Sequence, residues 1–433
     1  MRHLYSILFF LALPFLFLRL WWKGRENPAY RLRWSERLGF IPILSAPHSL
    51  WLHAVSMGEV IAAKPLIAAL RQQYPNLTIV ITTTTISGSL MACQLVSKNI
   101  IHYYSPYDTA SAINRFLDRT KPIYAIVMET ELWPNLFHYT AKRRIPILLA
   151  NARLSESSMQ AYLKMISLTR PMLAHVSCIA AQTQADADRF IQIGANLAQI
   201  QVMGNVKFDV PIPIELVEKG QAWRDQCIAP IAEKRRQTII AASTHLGEEE
   251  IIFSAFDKLL NTHPHTLLIL VPRHAERTHM ILQQCEQKNY RVVCRTENKP
   301  CSAQTQIFLG DTMGELFFYY AMADIAFIGG SLCVIGGHNP LEPAALNLPI
   351  VTGIHVFNFA QIFTQLQDAD AVIMVRDETQ LNDIWAKFLD DIAYREQVGA
   401  AGKKVVEENR GAVARHLAYV SNACVFKSPD DIP

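Results

Sequence analysis

The sequence predicts an α/β protein of two doubly wound, parallel-sheet domains in tandem, behind an N-terminal apolar helix. Three observations carry that prediction. From residue 50 onward, short β-branched apolar runs alternate with stretches of helical spacing, the pattern of repeated βαβ units. The alternation breaks once, at GNVKFDVPIPIE (204–215), where two prolines and a charge cluster intervene, and then restarts. Ahead of both blocks lies LYSILFFLALPFLFL (4–18), almost wholly apolar.

The elements follow in chain order. Leu4 to Trp22 is long enough to cross a bilayer, which takes about 20 apolar residues. No small-residue cleavage site follows it, so residues 1–22 are expected to be a membrane anchor, and Trp21-Trp22 an interfacial belt. Arg19, Lys23, Arg25, Arg31, Arg33 and Arg37 face only Glu26 and Glu36. Cationic flanks stay cytoplasmic, so residues 23–49 are expected to be a basic membrane-proximal segment. The body of the protein is then expected on the cytoplasmic side, behind the anchor. The first α/β domain is assigned to 50–206, with strands in LTIVITTTT (77–85), IIHYY (100–104), PIYAIVM (122–128), IPILLA (145–150) and CIAAQ (178–182). Residues 207–212 are read as a linker. The second domain, 213–425, carries strands in QTIIAAS (237–243), TLLILV (266–271), RVVC (291–294), TQIFLG (305–310), DIAFIGG (324–330) and LPIVTG (348–353), then a helical stretch from about 380 to 424. Open parallel sheets bind ligands at the carboxyl ends of their strands, so a shared cleft is the expected site.

Composition narrows the class. The chain has 433 residues, 50% of them hydrophobic, enough for two cores. A net charge of +3 carries no nucleic-acid signal, and no nucleic-acid partner is expected. The eight cysteines form no CxxC pair, so neither a zinc site nor a disulfide framework is suggested.

Six stretches carry chemistry. In HAVSMGEV (53–60), Ser56 and Glu59 fit a capping box, yet Glu59 also follows a strand on the ligand-binding edge. PIYAIVM runs straight into Glu129, Thr130 and Glu131, two acids at a second strand exit. Glycosyl transfer needs a base for the acceptor hydroxyl and polar groups around a cation-like sugar. GGSLCVIGGHNPLEPAALNLPIVTG ends a strand in Gly329-Gly330 and adds the loop Gly336-Gly337. A helix is expected to start there, with Asn339 as cap, Pro340 at its first position and Glu342 at its third, its free N–H groups suited to a phosphate. Glu342 is either the cap partner or a ribose ligand. Arg273 in VPRHAER, Met313-Gly314-Glu315 in GDTMGEL and Lys207 in GNVKFD lie at further strand ends or in the linker.

HAVSMGE, METELWPNL, NARLS, GNVKFD, STHLGEEE, LVPRHAER, GDTMGEL, FIGGSL and GGHNPLEPA, in this order, together resemble the 3-deoxy-D-manno-octulosonic acid (Kdo) transferases of lipopolysaccharide assembly. The resemblance implies a GT-B fold of two Rossmann-like domains and inverting transfer of Kdo from CMP-Kdo to lipid IVA. It implies no cofactor and no bound metal. It makes Glu59 the general base, and Glu129 and Lys207 transition-state stabilisers. Pro272, Arg273, Met313, Gly314, Glu315, Asn339, Pro340, Leu341 and Glu342 become the CMP-binding residues. The alternative is another GT-B nucleotide-sugar transferase acting on a membrane lipid or glycan.

Overall fold

The computed structural model describes residues 1–46, 48–231 and 235–423. They form two units, Met1–Asp209 with the chain from Asn409 onward, and Val210–Glu408.

The first unit holds seven parallel strands: β1 (Ser49–His53), β2 (Thr78–Thr83), β3 (Ile100–Tyr104), β4 (Pro122–Met128), β5 (Ile147–Ala152), β6 (Cys178–Ala181) and β7 (Ile200–Val202). Their spatial order is β3-β2-β1-β4-β5-β6-β7. Strand order reverses between β1 and β4, and ligands of such sheets bind at that switch point. Every residue of β1, β2 and β5 is buried, because helices cover both faces. Alternate residues feed opposite faces. Leu50 and Leu52 join Val60, Leu66 and Ile81 on one face, while Trp51 meets Val80, Phe116 and Phe137 on the other.

The second unit repeats the plan with β8 (Thr238–Thr244), β9 (Leu267–Pro272), β10 (Val292–Cys294), β11 (Ile307–Leu309), β12 (Ile325–Ile328), β13 (Ile350–Gly353) and β14 (Val372–Val375). The order is β10-β11-β9-β8-β12-β13-β14, all parallel, which puts its switch point between β8 and β12.

Three sequence expectations change. The helix Ala412–Ala423 belongs to the first unit, so the second ends near Glu408 and not at 425. Cys424 and the expected domain end lie outside the described residues. The edge strands β7 and β14 had no counterpart in the sequence reading. β7 is three residues long and partly exposed, so it makes no continuous apolar run. Finally, the basic segment is partly internal. Arg37 is 5% exposed and donates to the Thr84 carbonyl, and the Arg33 guanidinium lies 4.8 Å from the Tyr104 ring centre. Ile41 and Leu44 join the core, so 34–44 is part of the first unit's fold and not a separate membrane-proximal segment.

Candidate active site

In the first unit, β1 and β4 aim two loops at the switch point. After His53 the chain turns at Ser56, and the helix Met57–Gln73 begins. The Ser56 hydroxyl oxygen accepts from the Glu59 amide at 3.3 Å, so Ser56 is a true N-cap. Glu59 reaches one residue further back than a capping box predicts. It accepts from the Val55 N–H at 2.8 Å and from the Ser56 hydroxyl at 2.9 Å. Burial pushes its carboxyl up to about 8, with the charges of Glu131 and Glu129 adding to the effect. A cap alone gains nothing from two neighbouring acids. A proton acceptor poised near neutral pH does. Beside it, a Cβ built on Gly58 would make only one ordinary contact, with the Ser56 hydroxyl at 3.9 Å.

His53 is the other titratable group of this loop, but it is fully buried. It pairs with Thr82 at 2.9 Å, and burial pulls it down to about 3. It is a packing residue that stacks edge-on against Trp133. Trp133 in turn donates to Glu131 at 2.7 Å, and so the loop after β4 is braced on the end of β1.

Glu129 sits at φ 54°, a left-handed backbone that costs a glutamate on the order of 1 kcal/mol. Its carboxylate accepts from Arg153 at 2.8 Å and from Lys207 at 3.2 Å. Lys207 is therefore brought from the end of the first unit to Glu129. Asn151, also at positive φ, accepts from the Val206 N–H at 3.1 Å and holds that short turn in place. The Asn151 N–H donates to His416 Nε2 at 3.0 Å, and His416 Nδ1 meets the Ala412 carbonyl at 2.7 Å. The returning helix Ala412–Ala423 thus supports the Lys207 turn. Arg153 and Asn151 lie in the NARLS stretch but had been given no role there.

In the second unit, the carboxyl ends of β8, β9 and β12 converge. Glu248, wholly buried, starts the helix Glu248–Leu260. It accepts from the N–H groups of Gly330, Ser331 and Leu332 at 2.6, 2.8 and 2.9 Å, and from that of His245 at 3.0 Å. These N–H groups of the turn after β12 serve a carboxylate, so the phosphate expectation rests on the next helix start alone. The helix also begins one residue later than predicted, spans only Leu341–Ala345, and has Pro340 as its cap residue. Asn339 Oδ1 takes the Leu341 N–H at 3.1 Å, and the Asn339 amide donates to Glu342 at 3.1 Å. Burial raises the Glu342 carboxyl, opposed by Asn339 and by the Arg273 charge.

At this edge lie the Arg273 cation and a histidine pair. Arg273 follows Pro272 at the end of β9, its N–H on the Thr244 carbonyl and its side chain exposed. His245 and His338 stack with rings 4° from parallel and Nε2 atoms 2.8 Å apart, which requires one N–H to donate to the other ring. Burial, with Arg273 next in weight, pulls His338 down to about 4. Neither histidine stood out in the sequence. Each sits in a quoted stretch, and only the fold pairs them. Glu315 is tied to Arg295 at 3.2 Å and to Thr312 at 2.5 Å, ahead of the helix Leu316–Ala321. Met313 is exposed, and a Cβ on Gly314 would meet nothing within 4 Å.

Two Rossmann-like units in tandem define a GT-B-like fold. A meningococcal UDP-GlcNAc 2-epimerase structure shares this fold. It matches 86% of this chain and 99% of its own, with TM-score 0.54 and 14% identity. Residues 32–210 match the family described as 3-Deoxy-D-manno-octulosonic-acid transferase (kdotransferase). The 3-deoxy-D-manno-octulosonic acid transferase of Haemophilus influenzae is 39% identical over 96% of this chain and 97% of its own. That of Bordetella pertussis is 33% identical over 86% of each. The chain belongs to the Kdo transferase family, and it is a glycosyltransferase that moves Kdo.

Proposed function

We propose that this chain moves Kdo from CMP-Kdo to lipid IVA with inversion and without a metal, at the cytoplasmic face of the inner membrane. The observation that carries the reading is Glu59, a buried carboxyl pushed up to about 8 beside the Glu129–Lys207 pair. Glu59 takes the proton of the acceptor hydroxyl. The hydroxyl oxygen bonds to the anomeric carbon of Kdo, and the bond from that carbon to the phosphate oxygen of CMP breaks. CMP leaves with the electron pair. Glu129 and Lys207 stabilise the charge that develops at the sugar. Arg273 holds the anionic donor and neutralises the departing phosphate, and Asn339 and Glu342 receive the ribose. Met313, Gly314 and Glu315 complete the nucleotide site. The N-terminal helix and its cations hold the enzyme at the anionic lipid surface that carries the acceptor.

The test is transfer by the full-length protein from CMP-Kdo to lipid IVA in vesicles, read by mass spectrometry, with CMP and UDP as competitors. Kdo-bearing lipid and inhibition by CMP alone are expected. Inhibition by UDP alone, or transfer only to a different acceptor, would overturn the assignment in favour of another nucleotide-sugar transferase.

A further inference from the structure

The N-terminal helix Arg2–Lys23 has two faces. Along one, Arg2, Tyr5, Ser6, Phe9 and Phe17 are half-buried against the first unit. Phe17 packs edge-on against Tyr107 at 5.5 Å, and Phe9 meets the same ring at 6.3 Å. Polar groups join them. Arg2 Nη1 and the Ser6 hydroxyl donate to Asn135 Oδ1 at 3.2 and 3.0 Å. The Tyr5 hydroxyl donates to Asp108. Asp108, wholly buried, also accepts from the N–H groups of Asn135 and Leu136 at 3.0 and 2.6 Å. Those two residues open the helix Pro134–Lys142, which begins directly after the Glu129–Trp133 loop. Along the other face Ile7, Leu11, Phe15, Leu18 and Trp22 are exposed, Phe15 by 73%. Its end is basic: the guanidinium groups of Arg25 and Arg31 each lie 5.2 Å from the Trp21 ring centre.

A helix that crosses a bilayer turns its whole circumference to hydrocarbon or to other membrane helices. This helix turns one side, with an arginine, a serine and a tyrosine hydroxyl, to a water-soluble domain. Spanning would strip those contacts away. We infer that it lies in the plane of an anionic bilayer surface, apolar face down, and is latched by Tyr5, Ser6 and Arg2 to Asp108 and Asn135. Asp108 is then a positioning residue: it ties the membrane helix to the helix that fixes the loop of Glu129 and Glu131. An apolar face with a tryptophan and arginine rim suits that lipid surface. The inference rests on the membrane reading proposed above.

Full-length protein carrying photoreactive p-benzoylphenylalanine in place of Phe9 or of Phe10 is bound to vesicles of phosphatidylethanolamine and phosphatidylglycerol, illuminated and mapped by mass spectrometry. Phe9 faces Tyr107 and Phe10 is exposed. The expected outcome is cross-linking of the first position to the chain near Tyr107 and of the second to lipid. Lipid adducts at both positions would mean a spanning helix and overturn the inference. No lipid adduct at either would overturn the membrane reading itself. The latch is tested separately by Tyr5→Phe, which removes one hydroxyl. It should raise KM for vesicle-borne lipid acceptor about tenfold, the scale of a hydrogen bond to a carboxylate, with CMP affinity unchanged. An unchanged KM would show that docking does not reach the loop.

Discussion

Glu59 caps a helix start and, in the function proposed above, takes a proton, and these two demands pull in opposite directions. Its carboxyl, ordinarily near 4.5, is raised to about 8. Between these values the folded protein keeps a proton that the unfolded chain releases. Stability from this site is therefore present below about 4.5 and is lost as pH rises toward 8. Activity should run the other way, with kcat/KM rising through about 8 as the base ionises. Glu59→Gln removes both trends. It should lower transfer about 10²–10⁴-fold with CMP affinity intact. Its melting temperature relative to the parent should climb between pH 5 and 8, as measured by thermal scans across that range. A constant difference would mean that the carboxyl titrates normally, and near-normal turnover would leave only its hydrogen bonds to Val55 and Ser56. Glu342→Ala is the donor-side counterpart. It gives up one bond from Asn339 in a five-residue helix, a loss of about 1 kcal/mol. Two ribose hydrogen bonds lost should raise the CMP dissociation constant about tenfold or more. Unchanged affinity by calorimetry would take Glu342 out of the ribose site.

Among the elements, the glycine-rich turn after β12 depends most on a distant residue. A Cβ on Gly329 would come within 2.5 Å of the Ser243 carbonyl oxygen, so the turn packs directly on the backbone at the end of β8. The N–H groups of 330–332 then converge on Glu248. Glu248→Gln keeps the shape but offers one oxygen where four donors point. A buried donor without a partner costs about 1–3 kcal/mol, so the variant should lose about 3 kcal/mol or more in urea denaturation. CMP binding should weaken with it, because His338 and Asn339 follow this turn. Full stability in the variant would show that the donors find other partners. The loop after β4 is braced differently, by Trp133 on His53 and by Asp108 on the helix that follows.

For the whole molecule, the structure separates cations free to meet lipid from cations used inside the fold. Arg19, Arg25 and Arg31 are exposed, while Arg37 is buried and Arg33 is held by Glu36 at 2.7 Å. Replacing Arg25 and Arg31 with Gln should weaken binding to anionic vesicles by about 1 kcal/mol each and reduce its salt dependence, with folding unchanged. Arg37→Gln should instead lower the melting temperature. Co-sedimentation and thermal scans of the two variants check the pair. Equal effects on vesicle binding would mean that burial of Arg37 does not matter. Removing residues 1–26 should spare the first unit, whereas removal through residue 44 should not, because Leu44 donates to the Arg119 carbonyl at 2.9 Å within the core.

The alternation of strands and helices, the break near residue 210 and the paired acids at strand exits were legible in the sequence. They depend on local periodicity and on which residues follow an apolar run, and a buried parallel strand imposes both. The helix at 412–423 read as helical for the same reason. Which unit receives it was not legible, because that depends on the contact between His416 and Asn151, 265 positions apart. The same holds for the His245–His338 pair, for Glu248 under the glycine turn and for Lys207 on Glu129. The first two meet because β8 and β12 lie side by side, and Lys207 reaches Glu129 because Asn151 at the end of β5 holds its turn. The apolar N-terminal run was evident from composition. Its docked face was not, because hydropathy counts apolar residues and says nothing of the polar partners, Asn135 and Asp108, that tertiary packing places beneath them.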